Sequence, residues 1–99
     1  MAKSFEDLEV WQMATKLAEN IYQVTLTFPK QEQYALSDQI KRSVTSISAN
    51  IAESFGRYHY NDKKNFLYNA RGSLLETKSH LLLAQKLFHN FINAIGSSV

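Results

Sequence analysis

The sequence has no cysteine, one proline and three glycines in 99 residues. With no cysteine there is no disulfide to staple a small fold, so the core rests on packing alone, as suits a reducing compartment. So little proline and glycine argues against a loop-rich or all-β chain. Long apolar runs are also missing. The longest is Leu81-Leu82-Leu83-Ala84, against the roughly 20 residues a helix needs to cross a bilayer. The first residues, Met1-Ala2-Lys3-Ser4-Phe5-Glu6-Asp7, carry no apolar signal segment. These absences point to a cytoplasmic protein with no membrane contact. With 44% hydrophobic residues, the chain suffices for one domain over 1–99.

Apolar residues fall at helical spacing throughout. Val10, Ala14, Leu17, Ile21, Val24 and Phe28 alternate steps of four and three, the seam of a helix lying nearly parallel to a neighbour. Trp11, Ala18, Tyr22 and Thr25 form a row beside it. Pro29 ends this first helix. After a connector over Lys30–Leu36, with room for one short turn, Ser37 is placed to cap a second helix whose seam is Ile40, Val44, Ile47, Ile51 and Phe55. Gly56 is its natural stop. Asn61 or Asp62 then caps a third helix with the seam Leu67, Ala70, Leu74, Thr77, Leu81, Ala84 and Phe88. The period continues to Phe91 and Ile95, so the third helix either runs on to about Ala94 or breaks near His89-Asn90. Helices are therefore predicted over about 7–28, 36–56 and 62–88, with a helical tail over 89–95 and a frayed end from Gly96. The class is all-α, an antiparallel up-down bundle.

Residues that carry chemistry are not assembled into a site. His59, His80 and His89 have no i, i+4 spacing among them, so no helical histidine pair is available to a metal. Glu53 and Glu76 lie near the middles of two helices, but the histidine after Glu76 falls at i+4, not in the Glu-x-x-His spacing of a di-metal bundle. These glutamates are better read as partners of bases such as Arg57 or Lys78, or as facing water. No serine sits in a Gly-x-Ser-x-Gly elbow, and Gly72 is isolated inside the third helix, where close approach of a neighbour at Gly72-Ser73 offsets its cost. The reading is a non-enzymatic protein without catalytic residues, metal or cofactor.

Charge is unevenly placed. Residues 1–40 hold three basic and six acidic side chains, and residues 41–99 hold eight basic and three acidic. Along the third helix, Lys64, Tyr68, Arg71, Leu75, Lys78 and Leu82 form a stripe beside the seam. A basic stripe with an interleaved aromatic suits phosphate contact and base stacking. The same stripe also fits side-chain stems that merely cover the edge of a packed face.

Three segments in order carry a resemblance. They are Phe5-Glu6-Asp7-Leu8-Glu9-Val10-Trp11, Ile47-Ser48-Ala49-Asn50-Ile51-Ala52-Glu53-Ser54-Phe55-Gly56-Arg57, and Ala70-Arg71-Gly72-Ser73-Leu74-Leu75-Glu76, with Phe28-Pro29 between the first two. Over about residues 5–87 the chain resembles the four-helix-bundle family encoded in intervening sequences of bacterial 23S rRNA genes. That family includes the accessory variability protein of diversity-generating retroelements. Ser48 and Ser54 stand where the family usually has proline and glycine, which favours a more regular second helix. The resemblance implies a four-helix bundle, here with a truncated or short fourth helix, and a ring-like homopentamer. It further implies binding of RNA or DNA, or of a reverse transcriptase-like partner, through basic helix faces, with Lys41, Arg42 and Arg57 falling where the family tends to be basic. With the stripe, the candidate nucleic-acid contacts are Lys41, Arg42, Arg57, Lys64, Arg71 and Lys78. The competing reading is a protein-interaction or structural module whose charges only solvate it.

Overall fold

A computed structural model describes the backbone of residues 2–32 and 35–98, and the side chains of those up to Phe88 apart from Glu32. It is all-α among the described residues. Helix α1 is Glu9–Thr25, α2 is Leu36–Gly56 and α3 is Tyr60–Ser98, with single 3-10 turns at Phe5–Asp7 and Lys30–Glu32.

Local chemistry sets the ends. Ser4 accepts from the Glu6 amide at 3.0 Å and the Asp7 carboxylate accepts from the Ser4 amide at 3.2 Å. This reciprocal capping box closes the Phe5–Asp7 turn, so α1 begins at Glu9 and not near 7. It ends at Thr25, and turn-type bonds carry the chain through Phe28 to the proline. α2 has the expected bounds, but Ser37 does not cap it. The N-cap is Ala35, and Ser37 is buried in the first turn. α3 starts at Tyr60, which puts Asn61 and Asp62 inside its first turn instead of at its cap.

α3 continues unbroken through Ser98, so no separate fourth helix forms among the described residues. His89-Asn90 lacks the geometry to stop a helix, and no proline follows. Gly96–Ser98, expected to fray, are helical. The extension of the seam to Phe91 and Ile95 lies outside the described side chains.

α2 is the central helix. It packs against α1 on one flank and α3 on the other, whereas α1 does not pack along α3. The core is Ala14, Ile21 and Phe28 against Leu36, Ile40, Val44, Ile47 and Ile51, with Ala70 and Ala84 from α3. Phe28 closes one end, edge-on to Phe88 at 4.6 Å between ring centroids.

The α2–α3 seam is built differently, from small and hydroxyl residues. Thr77 Oγ1 lies 2.8 Å from Ser43 Oγ, and Ser73 Oγ lies 2.9 Å from Ser46 Oγ. Asn50 donates to the Ser46 carbonyl at 2.8 Å. Ser43 and Thr77 are buried, and no buried side-chain polar atom lacks a partner among the described residues. Of the small residues on this side of α2, Ser46 meets α3 while Ala49 is exposed. Gly72 contradicts its expected role. It is exposed, and a Cβ there would meet nothing within 4 Å, so the close approach belongs to Ser73 alone.

The same pairs fix the antiparallel register. Carried along the helices, Leu36 comes level with about Ala84, and α3 runs on for roughly 20 Å more. The molecule is accordingly long, 59 × 21 × 18 Å, with a radius of gyration of 16.7 Å, against about 13 Å for a compact domain of this size.

Candidate nucleic-acid interface

The structure separates the six candidate basic residues into three settings. Lys64, Arg71 and Lys78 recur every seven residues on α3, flanking its buried row of Ala70, Thr77 and Ala84. Arg71 and Lys78 are exposed and Lys64 is half-buried. This is one continuous basic stripe. Arg42 stands two residues from the fully buried Ile40, which turns it to the outer face of α2, exposed and apart from the stripe. Lys41 is half-buried and directed at α1, its Nζ 5.4 Å from the Tyr22 ring centroid. Arg57, at the end of α2, is engaged twice. It pairs with Glu53 at 3.1 Å, and its guanidinium lies 4.7 Å from the Phe66 ring centroid.

Aromatic rings accompany the cations of the stripe. The Arg71 guanidinium lies 5.3 Å from the Tyr68 ring centroid, and Lys64 Nζ lies 5.9 Å from that of Tyr60. These distances fit cation–π attraction, worth about 0.5–1 kcal/mol at exposed sites. Lys63 points inward, toward the carbonyls of Ser54 and Phe55 at 3.4 and 3.5 Å, and so ties the start of α3 to the end of α2.

Of the two central glutamates, Glu53 pairs with Arg57 as anticipated. Glu76 pairs with His80 at 3.4 Å, not with Lys78. No group of three or more metal-ligating side chains occurs among the described residues. No helix of the described residues is long and apolar enough to cross a membrane.

Two features escape a reading of the sequence. The first is an open groove of about 790 Å³ between α1 and α3. Its floor is Ile47 and Ile51, its walls are Val10, Met13 and Leu17 on one side and Leu74 on the other, and Glu9, Lys16 and Asn20 lie along its α1 rim. Leu67 and Leu74 belong to the expected buried seam of α3, yet they are 47% and 46% exposed. They face the side where α1 does not reach. The second feature is the turn between α2 and α3. Tyr58 in the turn and Tyr60 at the start of α3 are 91% and 74% exposed. Three consecutive ring-bearing residues, Tyr58-His59-Tyr60, were the available signal.

Three antiparallel helices, an unfilled apolar groove and a basic stripe on the longest helix define an all-α helical-bundle-like class with charge concentrated outside its core. The family model for the 23S rRNA-intervening sequence protein matches residues 6–93, and the chain belongs to that family. No curated protein matches the chain significantly.

Proposed function

We propose that this chain is a non-enzymatic, cytoplasmic, self-assembling helical protein that binds RNA or DNA, or an enzyme acting on nucleic acid, through the basic face of α3. The observation that carries the reading is the uninterrupted stripe of Lys64, Arg71 and Lys78 on a helix that extends past the body of the molecule. Three cations on one subunit bind phosphate weakly. Copies brought together repeat the stripe, and effective concentration then turns weak contacts into useful affinity.

Assembly is supported by the groove. Val10, Met13 and Leu74 are 52%, 65% and 46% exposed and contiguous, and an apolar surface of this kind marks an interface. A fourth helix is the element that would fill it in a complete bundle, and a neighbouring copy is the proposed source of cover. The ring of five is the assembly that the family resemblance implies. Arg42 extends the contact surface on the outer face of α2. Lys41 and Arg57, already engaged with Tyr22 and Glu53, contribute less.

The test is a filter-binding titration of structured RNA and single-stranded DNA at low and moderate salt, comparing wild type with the Arg42→Glu, Arg71→Glu, Lys78→Glu variant. Affinity of the wild type should fall steeply with salt, since each neutralised phosphate releases counterions, and the variant should bind far more weakly while still assembling. Equal binding by both proteins, or none by either at low salt, favours the second reading. That reading is a protein-interaction module, for which the groove is the specific support.

A further inference from the structure

We infer that the surface formed by the α2–α3 turn and the first three turns of α3 binds unpaired, single-stranded nucleic acid by stacking bases on Tyr58, Tyr60 and Tyr68. The inference rests on the nucleic-acid reading above and specifies which form of nucleic acid that surface takes.

Three tyrosine rings stand outside the core of the fold. Tyr58 and Tyr60 are 91% and 74% exposed and Tyr68 is 53% exposed, and none belongs to the core or to the residues packed against it. A tyrosine has a large apolar face, and three such faces left in water on one short stretch of surface are poised for a planar partner. Their arrangement is ordered. Tyr60, Lys64, Tyr68 and Arg71 follow at steps of four, four and three on one side of α3, so ring and cation alternate along a single line. Four residues of helix rise about 6 Å, so Tyr60 and Tyr68 stand about 12 Å apart along the axis. A strand laid along this line meets a ring, a positive charge, a second ring and a second charge in turn.

Charge complementarity points the same way. From Arg57 to Arg71 there are four basic residues and one acidic, Asp62. Asp62 is two residues beyond Tyr60, which turns it away from the stripe. The other nearby carboxylate, Glu53, is held by Arg57. In the free protein the Lys64 ammonium lies over the ring of Tyr60 and the Arg71 guanidinium over that of Tyr68. A base therefore stacks on the opposite face of each ring, or takes the cation's place and leaves it to meet the adjoining phosphate.

A duplex cannot use these platforms, because its bases are stacked on one another and offer π-faces only at the ends. A single strand can, and stacking on aromatic side chains is tolerant of sequence. The turn therefore confers a preference for unpaired strands, whereas the cations alone would serve both forms.

The experiment measures fluorescence anisotropy of a labelled oligouridylate and of a labelled RNA duplex of equal length, at two salt concentrations. The proteins are the full chain, a Tyr58→Ala, Tyr60→Ala, Tyr68→Ala variant, the corresponding triple Phe variant, and an Arg71→Glu, Lys78→Glu variant. The alanine variant should lose at least about tenfold in affinity for the single strand, by the known worth of base–aromatic stacking. Its salt slope and its duplex binding should be unchanged, and phenylalanine should restore the loss. If the alanine variant binds the single strand as wild type does while the charge variant does not, stacking is refuted and the nucleic-acid reading stands. If wild type binds neither probe at low salt, both fail.

Discussion

Helix α2 holds its two neighbours by different means. Against α1 it presents Ile40, Val44, Ile47 and Ile51 to Ala14, Ile21 and Phe28, an apolar contact that is tolerant of small shifts. Against α3 it presents Ser43 and Ser46 to Thr77 and Ser73, bonded at 2.8 and 2.9 Å. The first seam carries the larger apolar side chains. The second lets two helices approach closely and favours the register in which Ser43 meets Thr77 and Ser46 meets Ser73. The comparison also locates what the fold leaves open. The hydroxyl seam uses Ala70, Thr77 and Ala84, while Leu67 and Leu74 are left about half exposed, Leu74 in the groove.

The largest expected effect comes from breaking the apolar seam. Ile47→Asp puts a charge on the core face of α2, between Val44 and Ile51. The loss of several kcal/mol is comparable with the whole stability of a small domain, about 5–15 kcal/mol. Circular dichroism should show an unfolded chain, and retention of native helicity with a cooperative melt would contradict the assignment of this seam as the core.

The hydroxyl seam should respond more mildly and in a distinctive pattern. Thr77→Val removes the bond to Ser43 and should cost about 0.5–1.5 kcal/mol, the net worth of one hydrogen bond. Ser43 Oγ also bonds the Ile40 carbonyl at 3.0 Å, which holds the cost toward the lower end. Adding Ser43→Ala to Thr77→Val should recover much of the loss, and urea melts of the two single variants and the double measure the coupling. Strict additivity would mean that the 2.8 Å contact does not set the register.

The smallest change should be a gain. Gly72 is exposed in the middle of α3, with open space where a Cβ would go. Gly72→Ala should therefore stabilise by about 0.5–1 kcal/mol, read as a rise in melting temperature. A fall would show that this face of α3 is in close contact with another surface in solution.

Much of this was legible from residue spacing, and the exceptions are instructive. The bounds of α2 were readable because its seam is regular and Gly56 and the turn follow at once. The start of α1 was misplaced because the capping box uses Ser4 with Asp7 where glutamate or glutamine is the usual partner. The continuity of α3 was not decidable, since the heptad runs through His89-Asn90 in either case. Of the site, the stripe on α3 follows directly from the seven-residue spacing of Lys64, Arg71 and Lys78. The engagement of Lys41 with Tyr22 and of Arg57 with Glu53 and Phe66 does not, because it depends on neighbouring helices or on side-chain placement. The groove was hidden for a related reason. Leu74 and Thr77 occupy equivalent places in a heptad, and only the way α2 seats on α3 determines that one is exposed and the other buried.

Whether that groove is an interface between copies decides the proposed function, because assembly would give a stripe of three cations useful affinity. Sedimentation equilibrium at micromolar concentration, on wild type and on Leu74→Asp, tests this most directly. Leu74 is 46% exposed in the single chain, so an aspartate there should leave the helical content intact, unlike Ile47→Asp, and should abolish association. The predicted result is an assembly of several 11.4 kDa chains for wild type and a folded monomer for the variant. Wild type sedimenting as a monomer would contradict the account.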